Sequence, residues 1–226
     1  MVPSVDARIL VVAALLVLVP LSGCTTTQQK STRAKVVANR LLASRKPMLV
    51  RRVNHDVTVE SVMLVRGRAV VVRVRNPTAR VVEDLPVSVG LRPRHWLNRR
   101  GGLDYLGTHI AAIGPRATVT WVFTTARRVR GRPVARVGIG APVSPPPRVP
   151  AVRAVLVGAS APVVTARVTN SSSIPQYGLG VYAVGRRAAG RAVIRRLGTG
   201  ESTTVRIPVI GDPRDLQLET APSTLR

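Results

Sequence analysis

Cys24 is the only cysteine among 226 residues. An intrachain disulfide and a cysteine-based metal site are thereby excluded. Aromatic side chains make up only 3% of the chain, so any core has to come from aliphatic residues within its 45% apolar content. Valine is abundant among them, and β-branched side chains favour pleated strands. Too few rings are left for the stacking platforms of single-strand nucleic-acid binders, and nucleic acid is not an expected partner. Acidic residues number ten against 35 Lys and Arg, a formal charge of +25, with lysine only at Lys30, Lys35 and Lys46. Such a surplus fits an anionic partner. An arginine excess accompanied by much Ala, Gly, Val and Pro fits equally the coding bias of a GC-rich genome, and both readings stand at this point.

Long apolar runs are missing too. Ile9 to Val19 is uninterrupted but short. A spanning helix needs about 20 apolar residues and a signal-peptide core about 7 to 15, so residues 1–23 are expected to be a secretory signal. Leu21-Ser22-Gly23-Cys24 follows at once and resembles the lipobox of bacterial lipoproteins. That resemblance implies that Cys24 receives a diacylglyceryl thioether and becomes the new amino terminus. The chain is then expected outside the cytoplasm, lipid-anchored to the cell membrane. Residues 24–55 read as a basic tether, with eight Lys and Arg between Thr25 and Arg52 and no acidic residue. Near an anionic leaflet each of these adds about 1 kcal/mol of attraction. Ser31 is placed to cap a short helix with Ala34, Val37 and Leu41 on one face.

Beyond residue 56 the apolar period is two. Val70, Val72 and Val74 alternate with Val71, Arg73 and Arg75; Leu85, Val87, Val89 and Leu91 share a face, as do Val119, Trp121 and Phe123. This is the pattern of half-buried strands. The order then recurs. Arg167-Val168-Thr169-Asn170 repeats Arg73-Val74-Arg75-Asn76 at an offset of 94, and Val205, Ile207 and Val209 align with Val119, Trp121 and Phe123 at an offset of 86. The first repeat is thus expected to hold eight extra residues within "RPRHWLNRRGGLDY". Between the repeats lies "APVSPPPRVP", whose prolines withhold ladder donors and favour an extended spacer.

The expected fold is all-β: two tandem antiparallel sandwiches over 56–140 and 151–212, joined by the linker 141–150 and followed by a tail over 213–226. The run "VTNSS", the strand "LGVYAV" and the turn and strand "LGTGESTTVRI" resemble small immunoglobulin-like domains of bacterial envelope proteins, of the FxLYD or CARDB-like kind. The resemblance covers residues 152–211 well and 57–140 more loosely. It implies an adhesion, spacer or interaction module, and brings no catalytic residues.

Catalytic groups are sparse. His55, His95 and His109 have no ligand spacing, no Ser sits in a nucleophile elbow, and no glycine-rich loop joins a strand to a helix. Neither a metal nor a cofactor is expected, and the chain is read as a non-enzyme. Glu83-Asp84 reads as a solvated loop near Arg80. Three runs, "VRGRAV", "RRVRGRPV" and "AVGRRAAGR", set arginine around glycine in the manner of charged hairpin tips; a basic rim for acidic glycopolymer or lipid headgroups is the functional alternative. The strongest candidate binding residues are Arg92, Arg94, His95, Trp96, Arg99, Arg100 and Tyr105, in the insertion the second repeat lacks. Cations beside amphipathic rings suit anionic sugars or phosphates. The expected function is a binding or scaffolding module of the cell envelope, with an anionic envelope polymer or another envelope protein as partner. An envelope hydrolase or transferase built around Glu83 and a purely structural spacer are the alternatives.

Overall fold

The computed structural model describes residues 50–90, 105–126, 128–140 and 149–222. Cys24, the signal segment, the tether as far as residue 49 with its expected helix, and residues 141–148 of the spacer lie outside them. The described chain is all-β. In its first half Thr58–Val65 (β1), Ala69–Arg75 (β2) and Thr118–Thr124 (β5) make one antiparallel sheet in the order β1-β2-β5. Val82–Gly90 (β3), Tyr105–Ile113 (β4) and Val134–Val137 (β6) make another in the order β4-β3-β6.

The second half contains Val152–Ser160 (β7), Val163–Asn170 (β8), Gln176–Val184 (β9), Ala188–Leu197 (β10), Ser202–Gly211 (β11) and Gln217–Ala221 (β12). They form one sheet, β12-β9-β10-β11-β8-β7, in which β10 and β11 pair only where Ala188–Gly190 meets Val209–Gly211. On either side of that seam the orders β7-β8-β11 and β10-β9-β12 repeat those of the first half. Val164, Ala166, Val168 and Ile207 from one side and Leu179, Val181 and Leu197 from the other fill a single buried cluster, so the sheet curls over its own apolar face.

The repeat extends to single residues. Asp84 and Gly178, 94 positions apart, both have positive φ, 50° and 61°, and the register of each strand against its partner is the same on either side of them. Aspartate and glycine tolerate this left-handed backbone at little cost. In the later strands the pairing registers give an offset of 84 where the sequence match gave 86: Trp121 faces Val72 as Val205 faces Ala166. Both numbers are even, so the inward face is the same. The first unit's excess is therefore ten residues. Fourteen separate the paired Gly90 and Tyr105, against four between the paired Val184 and Ala189.

Asn76 and Asn170 hold the two units together in the same way. Asn76 Nδ2 donates to the carbonyls of Arg80, Ile113 and Gly114 at 2.6, 3.2 and 2.9 Å, while its Oδ1 accepts from the backbone N and Oγ1 of Thr78 at 3.0 and 2.7 Å. Asn170 donates to Ile174, Leu197 and Gly198 at 2.8, 3.4 and 3.0 Å and accepts from Ser172 at 3.1 and 2.6 Å. Both side chains are fully buried. Each ties the turn after one strand to the end of a strand in the facing layer.

The units also pack on each other. Val71 and Val122 pair across β2 and β5 on the face turned away from the first core, yet both are buried, clustered with Tyr182 and Ala189 of the second unit. Arg73 on the same face reaches Glu219 at 3.6 Å. Burial pushes the phenol of Tyr182 up from 10.0 to about 12, with Arg191 opposing.

Four further expectations change. The stretch after Asp212, read as a tail, contributes β12, which pairs with β9 from Gln217 to Ala221. The last tether residues belong to the fold: Val53 bridges Gly138, the Asn54 N–H bonds the Val137 carbonyl, and Val50 donates to Ser88 Oγ at 3.2 Å. Glu83 and Asp84 lie inside β3, with Glu83 only 7% exposed, where its side chain faces protein and not solvent. The run "RRVRGRPV" is no hairpin tip, because it carries the chain from β5 in one sheet to β6 in the other.

Candidate functional site

The seven sequence-selected residues belong to one connection. Arg92, Arg94, His95, Trp96, Arg99 and Arg100 lie outside the described residues. Tyr105 is the first residue of β4, paired with Gly90 at the end of β3. Gly90 also pairs with Val134, the first residue of β6. The connection from β3 to β4 therefore begins and ends beside the point where the β5–β6 crossover arrives.

That crossover is fastened to the β1–β2 turn. Arg66 and Gly67 both have positive φ, 47° and 70°, and the Arg68 N–H bonds the Val65 carbonyl at 2.9 Å, closing a tight turn within the three-residue connection between the paired Val65 and Ala69. The Val129 N–H donates to the Gly67 carbonyl at 2.6 Å and the Thr125 N–H to that of Arg68 at 2.8 Å. The Arg128 side chain lies over Gly67, where a Cβ would come within 2.8 Å of its Cγ. Glycine is thus required twice, for the turn's backbone and for the arginine crossing it.

Two arginine–glycine runs sixty residues apart consequently meet at one end of the first unit. Arg66, Arg68, Arg128, Arg130 and Arg132 are all exposed there. The described carboxylates of this unit lie elsewhere: Asp56 and Glu60 precede or open β1, Glu83 and Asp84 open β3, and these are the opposite ends of those strands. Glu60 accordingly pairs with Arg75 at the far end of β2, 3.6 Å away. An open groove of about 450 Å³ lies between β1 and β6, lined by residues 59–62 and 132–135, so that Glu60 and Arg132 share it. The third arginine–glycine run is a hairpin tip as expected, with the Gly185 N–H bonded to the Ala188 carbonyl and Arg186 and Arg187 exposed.

Sequence reasoning named these runs but placed its site elsewhere. The signal it had was spacing within each run. What it missed was that an antiparallel register puts the end of β5 beside the start of β2, as Thr124 paired with Ala69 does. Chemically, the cluster offers guanidinium groups for phosphate or carboxylate oxygens, and no cluster of metal-ligating side chains occurs among the described residues.

No protein-family model matches the chain, and no curated protein matches it. Among solved structures the chain is similar to the YadV chaperone, at 10% identity over 76% of this chain and 99% of that one with a TM-score of 0.24. It is similar also to red sea bream transglutaminase, at 13% identity over 89% of this chain and 34% of the enzyme with a TM-score of 0.22. Neither likeness is strong enough to carry an argument about fold or function.

Proposed function

We propose that the chain is a non-catalytic surface lipoprotein of the bacterial cell envelope, anchored through Cys24, whose two immunoglobulin-like sandwiches serve as a binding or scaffolding module. The observation that carries the binding role is the unequal connection between frameworks of the same strand order and pairing. The second unit closes β9 to β10 with four residues between paired positions, so the fourteen of the first are not needed to fold such a unit. Those fourteen include six of the candidate binding residues, all cationic or aromatic. The lipobox resemblance at Leu21-Ser22-Gly23-Cys24 supports the location, and the basic segment between Cys24 and the fold suits a stem beside an anionic leaflet.

Grafting the short turn tests the reading. Replacing residues 91–104 with the sequence of 185–188 is expected to preserve the thermal transition while abolishing capture of envelope polymer or protein from detergent-solubilised membranes. Unchanged capture by a folded graft overturns the binding role of the loop. For the anchor, Cys24→Ser is expected to move the protein to the soluble fraction or leave it as precursor, and mass spectrometry finding an unlipidated Met1 terminus in the mature wild type overturns it.

A further inference from the structure

From the meeting of the two arginine runs we infer that the end of the first unit formed by the β1–β2 turn and the β5–β6 crossover docks a linear anionic polymer bearing phosphate or carboxylate groups. The inference rests on the binding-module reading and gives it a site and a ligand class. Arg66, Arg68, Arg128, Arg130 and Arg132 supply the cations. Three observations support it. The cluster is built, because backbone bonds from Val129 to Gly67 and from Thr125 to Arg68 fix the two segments against each other. It is unneutralised: among the described residues none of the five arginines forms an ion pair, whereas Arg73 and Arg75 of the same unit do. It is largely segregated: Asp56, Glu83 and Asp84 sit at the opposite strand ends, and Glu60, which shares a groove with Arg132, is paired with Arg75.

Like charges held together in this way repel one another, and a solvated surface gains nothing from fastening them in place. A polyanion with repeating charge relieves that repulsion across several guanidinium groups at once, through bidentate bonds no single free anion can span.

The test measures binding of fluorescently labelled polyphosphate and polygalacturonate to the detergent-solubilised full chain at about 50 mM salt, where screening is weak. Phosphatidylglycerol vesicles serve as a third probe. Wild type is expected to bind at least one polymer. Arg66→Ser/Arg128→Ser/Arg130→Ser should weaken it by about tenfold or more, whereas Arg153→Ser/Arg167→Ser/Arg206→Ser, which removes the same charge from an exposed face of the second unit, should change it less than about twofold. The polymer retained identifies the phosphate or the carboxylate as the recognised group. Equal losses in the two triple variants overturn the site, reducing the effect to net charge. So does failure to bind either polymer, or binding to vesicles alone. If the turn variant misfolds, Arg130→Glu/Arg132→Glu, outside the hairpin, carries the same expectation. Failure here is distinguishable from failure of the module itself: a folded loop graft that loses its partner while the arginine variants keep it retains the module and removes this site.

Discussion

The outer faces of β2 with β5 and of β8 with β11 are the same surface of the same framework, and they meet opposite fates. In the first unit its centre is Val71 beside Val122; in the second, at the corresponding registers, it is Thr165 beside Arg206. The valines are buried against Tyr182 and Ala189, whereas Arg206 and Arg167 are exposed. Two side chains thus decide whether a sheet face closes or remains open. The first unit needs its neighbour to cover an apolar centre, and the second already suits water. β7 departs from this at its edge, where Val155, Leu156 and Val157 are exposed, 58% for Val157.

The comparison can be broken most severely from inside. Trp121 and Val205 face equivalent partners, but Trp121 is 3% exposed and stacks edge-on against Phe123 with ring centroids 3.6 Å apart, while Val205 is only half-buried. Trp121→Ala is expected to cost about 3 to 5 kcal/mol and Val205→Ala about 1 to 2 kcal/mol by thermal or denaturant unfolding. Equal costs would mean that the two cores do not differ as their side chains do.

Exchanging the face residues attacks the difference directly. Val122→Arg buries an unpaired charge between the units and is expected to cost about 3 kcal/mol, with proteolysis opening the connection between residues 140 and 150. Arg206→Val with Thr165→Val should leave stability nearly unchanged and produce concentration-dependent self-association in sedimentation, because an apolar centre is then exposed.

Tyr182 reports on the covered face through pH. Its phenol is held neutral to about 12 by burial, against 10.0 when exposed, with Arg191 opposing. A raised folded pKa means that the native state keeps a proton the unfolded chain gives up. Stability present below pH 10 should then fall by about 3 kcal/mol as pH rises to about 12. Tyr182→Phe is expected to remove that slope in equilibrium unfolding, and no tyrosine of the second unit's open face can replace it.

Where the units agree, the expected effects agree. Asn76→Ala and Asn170→Ala each strand three carbonyls and a turn N–H and hydroxyl. Each should cost about 2 kcal/mol, with the two values similar, as read from denaturant midpoints. Widely different values would sever the structural equivalence of the turns.

The sequence by itself determined the strands and their inward faces. Alternation at a period of two is a local property of the pleat, so Val70, Val72 and Val74 and their counterparts 94 residues on were legible without partners. Asn76 and Asn170 were legible as strand ends for the same local reason, although the facing carbonyls they bind were not. Register lies beyond such reasoning. An offset of 86 and one of 84 place the same side chains inward, and only pairing across β2–β5 and β8–β11 separates them. Long-range closure likewise decided that β12 completes the second sheet, that Glu83 lies in a strand, that Val71 and Val122 meet a second unit, and that arginines at 66 and 128 share one end of the first. A charge run records which side chains are present, but which runs become neighbours is set by the order of strands across a sheet, and that order is fixed when distant apolar faces are buried together.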